Sequence, residues 1–438
     1  MSAAAAAAAA AEKPRVYLDN NGTTMLDPCV LEEMMPYLTT VYGNANSLHT
    51  FGKEARVGMR KAIDQIYSAI NADDEDDVII GSCATEANNT VMKSVLHAAE
   101  LRKARGLTRT HVVTSSIEHP CIRNSCEFLE SEGIAVTYVP VNEKGIVTPE
   151  AVRKAIEPEN TVLVSIMWVN NETGLINPIA DIAKVIHEVN REAHRTPSSE
   201  NTPILFHSDA VQAVGKLPVD VQAAGVDMMT VSAHKFHGPK GVGFLYVRAG
   251  SLWLEHSRGW FTPLLHGGEQ MSGRRAGTIN TPGIVGLGAS IMRANEHARG
   301  LDADHLQKGC HTIEQTRALR DKLEDGLLAI PGVMVIGARE MRTCNTVLAS
   351  FKGVEGEAML WDLDEAGVAA STGSACASES LESNPTFVAM SVDPELAHTG
   401  IRFSLSKYTT EEEIDRTLEA VRNAVRRLRD ISGQHPEK

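Results

Sequence analysis

Short apolar runs alternate along this chain with longer stretches whose apolar residues recur at helical spacing. Val112–Ser115, Ala135–Pro140, Val162–Met167, Ile204–His207, Met228–Val231 and Gly243–Val247 are each short and bounded by turn residues or helix signals. Each therefore reads as a buried strand of the parallel type. Between them, Pro149–Ile156 and Ile179–Glu192 read as helices. Strand alternating with helix is the pattern of an α/β fold built on a mainly parallel sheet. From Thr281 to Gly300 the pattern becomes a long helical run, continued by His311–Leu328, and the passage into a smaller second domain is placed there. That domain takes strands at Met334–Ile336 and Val347–Phe351 and a closing helix at Glu411–Arg429. Thr409 or Thr410 caps that helix, and Glu411, Glu412 and Glu413 suit the positive end of its dipole. The polar stretch Glu192–Pro203 reads as a surface loop. The expected division is a disordered alanine-rich N-terminus at 1–15, a large domain at 16–280 and a small C-terminal α+β domain at 281–438. Residues from about 16 to 30 are free to pack on the small domain.

Composition acts mainly by exclusion. A chain of 438 residues is long for one small core, which agrees with two domains. No apolar run approaches the roughly 18–20 residues of a membrane span, so no integral membrane protein is expected. A net charge of −14 argues against nucleic acid as the main partner, because phosphate binding needs a basic surface. The seven cysteines form no C-x-x-C pair, so neither a zinc ribbon nor a thioredoxin-type pair is expected, and no metal site is assigned. Their odd number reads as a reducing compartment. The run Ala3–Ala11 lacks the basic region of a secretory signal and the Arg- and Ser-rich character of a presequence. The expected location is the cytoplasm, with an organelle left open.

The candidate chemistry gathers just after the strands, where open α/β sheets bind ligands. Ser232-Ala233-His234-Lys235-Phe236-His237-Gly238-Pro239-Lys240-Gly241 follows one strand and puts a lysine where it can project into a cleft. Taken alone it is a solvated loop lysine, since an amine near pKa ~10.4 is a nucleophile only when perturbed or converted to an imine. His207-Ser208-Asp209-Ala210-Val211-Gln212 places an acid three residues before an amide, and that acid could merely cap a helix. Ser82-Cys83-Ala84-Thr85-Glu86-Ala87-Asn88-Asn89 opens a helix whose N-terminal amides could cradle a phosphate, with the Thr85 hydroxyl as a further donor. By itself that joint is common. Ser116-Ile117-Glu118-His119-Pro120 offers an imidazole, and Asn170-Asn171-Glu172-Thr173-Gly174 an amide, either of which could be a turn residue.

Jointly and in this order, the motifs resemble the class V aminotransferase group of pyridoxal-phosphate enzymes, and within it the cysteine desulfurases of the NifS/IscS type. The resemblance runs from about Val16 to Arg429. It is carried also by Tyr17-Leu18-Asp19-Asn20-Asn21, Gly43-Asn44 to Ser47-Leu48-His49, Arg274-Arg275-Ala276-Gly277-Thr278 and Ser374-Ala375-Cys376. It implies the type I fold of pyridoxal-phosphate enzymes, with a large cofactor-binding domain and a smaller C-terminal domain that carries the cysteine loop. Lys235 would hold pyridoxal 5'-phosphate as a Schiff base, and Asp209 would keep the pyridine nitrogen protonated, making the ring an electron sink. Gln212 and Asn171 would contact the ring-oxygen side, and His119 would stack on the ring and assist proton transfer. Ala84, Thr85, Ser232 and His234 would hold the phosphate, joined by Thr278 from the other subunit of a homodimer. Asn171 and Arg402 would bind the amino-acid substrate, the arginine fork gripping its carboxylate.

Cys376 separates sulfur chemistry from ordinary transamination. Its neighbours in Ser371-Thr372-Gly373-Ser374-Ala375-Cys376-Ala377-Ser378-Glu379-Ser380-Leu381 are small and polar, which suits an accessible loop better than a core. The other six cysteines read as inert fillers. The resemblance thus implies removal of sulfur from L-cysteine, giving L-alanine and a Cys376 persulfide for an acceptor such as an iron–sulfur scaffold. Two rival readings remain open at this stage: a selenocysteine lyase, and a non-catalytic subunit that only carries persulfide. The chain departs from the family pattern at Gly22, commonly alanine, and at Ser383-Asn384, where a proline is usual after Leu-Glu. The basic residue often found near Val388 is absent, and the short run after Arg429 is closer to the NifS branch.

Overall fold

The computed structural model describes residues 15–195, 202–251, 253, 259–301, 310–372 and 385–434. The chain divides into two compact units. The larger holds the described residues within 23–305 and 338–343, and the smaller those within 1–22, 306–337 and 344–438.

In the larger unit the strands are β2 (Asp77–Gly81), β3 (His111–Ser115), β4 (Ala135–Val139), β5 (Thr161–Ser165), β6 (Leu205–Asp209), β7 (Met228–Ser232) and β8 (Gly243–Val247), after a short β1 (Val16–Tyr17) that belongs to the smaller unit. Among the described residues these seven strands form one sheet in the order β2-β8-β7-β6-β5-β3-β4. The run from β7 to β4 is parallel. β3, β5, β6, β7 and β8 are buried at every position, as strands covered on both faces must be. The helices around the sheet are α1 (Pro28–Thr39), α2 (Thr50–Ile70), α3 (Ala84–Ala104), α4 (Pro120–Ser131), α5 (Pro149–Ala155), α6 (Ile179–Glu192) and α7 (Thr281–Ala298).

Two features differ from the sequence expectation. Gly243–Val247 is a strand, but it runs antiparallel to both β7 and β2. The chain returns from β7 to β8 through residues 233–242 with no crossover helix, and a connection of that kind reverses direction. The helical run from Thr281 belongs to the larger unit rather than leading out of it. Its small residues explain the placement: a Cβ added at Gly288 would lie 2.6 Å from the Ala62 Cα, so α7 packs against α2 almost backbone to backbone.

The smaller unit is an antiparallel sheet in the order β12-β13-β10-β9, made of β9 (Val333–Val335), β10 (Thr346–Phe351), β12 (Ser371–Thr372) and β13 (Gly400–Ser404). β1 pairs beside it with β11 (Val368–Ala369). The helices are α8 (Ile313–Leu328), α9 (Gly356–Glu365) and α10 (Glu411–Ser432). Thr410 caps α10 in a reciprocal box with Glu413, each side chain bonding the other's backbone N–H. Residues 16–22 belong to this unit, where Leu18 is buried in its core.

Candidate active site

The site is assembled in the larger unit at the C-terminal ends of β3, β5, β6 and β7 and the N-termini of the helices that follow. Asp209 ends β6 and is almost fully buried. A bare carboxylate there would be costly, but each of its oxygens accepts a hydrogen bond. Oδ1 accepts from the Val211 N–H at 3.0 Å and Oδ2 from the Asn88 side chain at 2.8 Å. Asn88 is fully buried on α3, and the Thr230 hydroxyl donates to its Oδ1 at 2.6 Å, which fixes the amide with its NH2 toward Asp209. Three residues past Asp209, Gln212 accepts from the Lys216 ammonium at 2.9 Å, so the NH2 is the amide's donor end.

β7 ends at Ser232, and one 3-10 turn, Ala233–Lys235, carries the lysine. The residues beyond are tied down by Thr24. Its hydroxyl donates to the His234 carbonyl at 2.9 Å and accepts the His237 N–H at 2.8 Å. His237 is held at φ 65°, a left-handed conformation rare for a residue with a Cβ. The His234 imidazole meets the Thr23 hydroxyl at 3.0 Å. Burial, then the charges of Lys235, Lys240 and Lys216, lower its pKa to about 4, so it is neutral near pH 7.

Whether these groups fit an anionic cofactor can be tested on the site itself. α3 begins at Ala84 after an extended Cys83, and no side chain caps it. Its first amides are therefore the donors that an anion at a helix start uses. The Ser232 hydroxyl is buried and has no hydrogen-bond partner. Such an orphan is expected where a ligand oxygen is to be received. Gly243 draws β8 up to the same place, since a Cβ there would lie 3.1 Å from the Cys83 Cα. Donors for a phosphate, an anchored anion for a ring nitrogen and a lysine thus converge from separate elements, and the group fits.

His119 caps α4, its Nδ1 accepting the Cys121 N–H at 3.2 Å. Burial first, and then Lys235, lower its pKa against the opposing pull of Asp209. Beside it Glu118 is buried, with Oε1 accepting from the Ser115 hydroxyl at 2.5 Å and the Met167 N–H at 2.9 Å. Its Oε2 has no partner, and burial pushes its pKa up to about 8. After β5, Asn170 is the structural member of its pair: its Oδ1 accepts from the N–H groups of Glu172 and Thr173, which builds the turn that presents Asn171.

Ala84, Thr85, His119, Asn171, Asp209, Gln212, Ser232, His234 and Lys235 all lie in the larger unit. Thr278 is in the same unit and solvent-exposed. Its segment is anchored by Arg275, which grips the Glu86 carboxylate of α3 at 2.8 and 3.2 Å. Arg402 lies on β13 of the smaller unit, buried, with Nη2 donating to Asp19 Oδ1 at 2.7 Å. Cys376 lies outside the described residues. Sequence reasoning missed Asn88, Thr24, Lys216 and Cys121. Asn88 left a signal, a polar residue on the apolar stripe of α3 shared by Ala84, Ala87, Val91 and Val95. Cys121 was read as filler, yet its sulfur lies 3.0 Å from His119 Nδ1.

A sheet ending in a lysine turn, a buried aspartate and an uncapped helix is the architecture of the type I pyridoxal-phosphate fold. The chain belongs to the class-V aminotransferase family, whose model matches residues 16–417. Within that family it is 42% identical to a cysteine desulfurase of Enterobacter agglomerans, over 95% of this chain and 94% of that protein. Among solved structures it is similar to a NifS-like protein, at a TM-score of 0.80 and 35% identity, covering 94% of this chain and all of the other. It is also similar to SspA in complex with cysteine, at a TM-score of 0.72 and 29% identity, covering 90% of this chain.

Proposed function

We propose that this chain is a pyridoxal-phosphate-dependent cysteine desulfurase. It takes sulfur from L-cysteine, releases L-alanine and leaves the sulfur on Cys376 as a persulfide. The observation that carries the reading is the convergence of Lys235, the doubly hydrogen-bonded Asp209, the orphan Ser232 hydroxyl and the uncapped start of α3. The same length of chain aligns with cysteine desulfurases.

Bound there, pyridoxal phosphate supplies an electron sink that labilises bonds at the substrate's α- and β-carbons. Ala84, Thr85, Ser232 and His234 would hold its phosphate, Asp209 its ring nitrogen, and Gln212 and Asn171 its ring-oxygen side. Lys235 would carry the cofactor, and its amine, when free, would serve as the base for the substrate's α-proton. Arg402 receives the substrate carboxylate. The Cys376 thiolate attacks the substrate sulfur; the Cβ–S bond breaks, its electron pair passes to the carbon skeleton, and protonation there completes the methyl group of alanine. The sulfur stays on Cys376 until an acceptor thiol or scaffold, such as one for iron–sulfur clusters, removes it.

The working form is a homodimer in the cytoplasm. Leu31, Met35 and Leu38 are exposed and spaced to form one apolar stripe on α1, and Leu48 and Phe51 are exposed apolar residues as well. A second copy of the chain covering that stripe is consistent with Thr278 completing the partner's phosphate site. Among the described residues no helix is long and apolar enough to cross a membrane.

The test is a visible spectrum and a sulfide and alanine assay of the wild type, Lys235→Ala and Cys376→Ala. The wild type is expected to be yellow and active, and Lys235→Ala to lose both properties. Cys376→Ala should stay yellow, change colour with cysteine and form no persulfide. A colourless wild type, or turnover of selenocysteine with almost none of cysteine, overturns the reading.

A further inference from the structure

We propose that Cys121 is a positioning residue that locks His119 as the neutral tautomer with its proton on Nε2, using its backbone N–H and its thiol together. A ring nitrogen that accepts a hydrogen bond carries no proton of its own. His119 Nδ1 accepts the Cys121 N–H at 3.2 Å, so the contact of the same nitrogen with the Cys121 sulfur at 3.0 Å has the thiol as donor. The thiol holds its proton for this purpose: burial, reinforced by Asp209, pushes its pKa up to about 12. For the same reason Cys121 is no second sulfur acceptor, because the thiol and not the thiolate is the stable form.

The sulfur is placed from the other side. Asn88 gives one N–H to Asp209 at 2.8 Å and the other to the Cys121 sulfur at 3.1 Å. An unbroken line of hydrogen bonds therefore runs from Asp209, through Asn88 and Cys121, to His119. The charged groups that bear on His119 are Asp209 from β6 and Lys235 from the turn after β7, and Cys121 of α4 bonds its Nδ1. With Nδ1 shared between two donors, His119 acts through Nε2–H as a hydrogen-bond donor and a flat ring, and the α-proton is left to Lys235. This role for His119 rests on the desulfurase reading, whereas the hydrogen bonds at Nδ1 do not.

The experiment uses full-length holoenzyme with 15N-labelled histidine, His119 being identified by the signal lost in His119→Gln. Wild type should show the Nε2–H pattern through neutral pH. Cys121→Ala, which keeps only the backbone donor, should raise the His119 pKa by roughly half to one unit, the size of one neutral hydrogen bond. The acid limb of kcat/KM for cysteine should move by the same amount, and Cys121→Ser, whose hydroxyl still donates, should restore both. A proton on Nδ1 in the wild type, or an unmoved His119 pKa in Cys121→Ala, overturns the proposal. The wild-type tautomer needs no variant to fold. Absence of cysteine turnover in a wild type that shows the Nε2–H pattern would sink the desulfurase reading while leaving the Cys121 contact standing.

Discussion

Replacing Glu118 by glutamine should flatten the pH dependence of stability. The carboxyl has a pKa raised by burial from 4.5 to about 8, with Oε1 bonded to Ser115 and Met167 and Oε2 without a partner. A folded pKa above the unfolded one means that the native state binds the proton more tightly. The stabilisation is fully present below about pH 4.5 and is lost as pH rises toward and through 8. Between pH 6 and pH 8 the unfolded carboxyl is ionised throughout, while the native one passes from protonated to about half ionised. The difference amounts to about 1.7 pH units, or about 2 kcal/mol at 1.36 kcal/mol per unit. Glu118→Gln keeps the acceptor oxygen and cannot ionise, so it should lack this slope. Urea unfolding of both proteins at pH 6 and pH 8, at fixed protein and cofactor concentrations, measures the double difference and cancels the other titrating groups. Parallel pH dependences would show that Glu118 is ionised in the native state and that the argument from its burial is wrong.

Ser232→Ala should act in opposite directions on the two forms of the protein. Titration of the apoenzyme should show cofactor affinity weakened roughly tenfold to a hundredfold, the loss of one hydrogen bond to a charged group, while apoenzyme stability holds or rises because a buried orphan hydroxyl is gone. Arg402→Lys should raise KM for cysteine roughly tenfold or more with a smaller effect on kcat, as steady-state kinetics would report, because an ammonium cannot reproduce the two parallel bonds of the guanidinium fork.

The parts of this protein legible from sequence were those where a local rule and a global position coincide. Asp209 and Ser232 each stand at the end of a strand that one apolar run announces, and Thr410 stands before three glutamates at a helix start. The direction of β8 was hidden because a strand's apolar pattern is the same whichever way it runs, and only the connection through residues 233–242 sets it. The placement of α7 was hidden because its periodicity is equally good against either core, and only the close approach at Gly288 decides. Cys121 and Asn88 escaped because their roles are held by partners distant in sequence: Asn88 meets Asp209, Thr230 and Cys121 only after the sheet has formed.

The antiparallel return of β8 has a mechanical consequence for Lys235. In a strand-to-helix joint, the loop after the strand can swing on a single anchored end. Here the residues that carry the lysine are clasped between two hydrogen-bonded neighbours, β7 and β8, and stitched to Thr24 in the middle. On the proposed reading, a Lys235 exchanged for the substrate amine would move by turning about its own side-chain bonds while the main chain stayed put. Its amine would then be a tethered base on a short leash, its reach set by the side chain alone because the backbone is fixed on both sides.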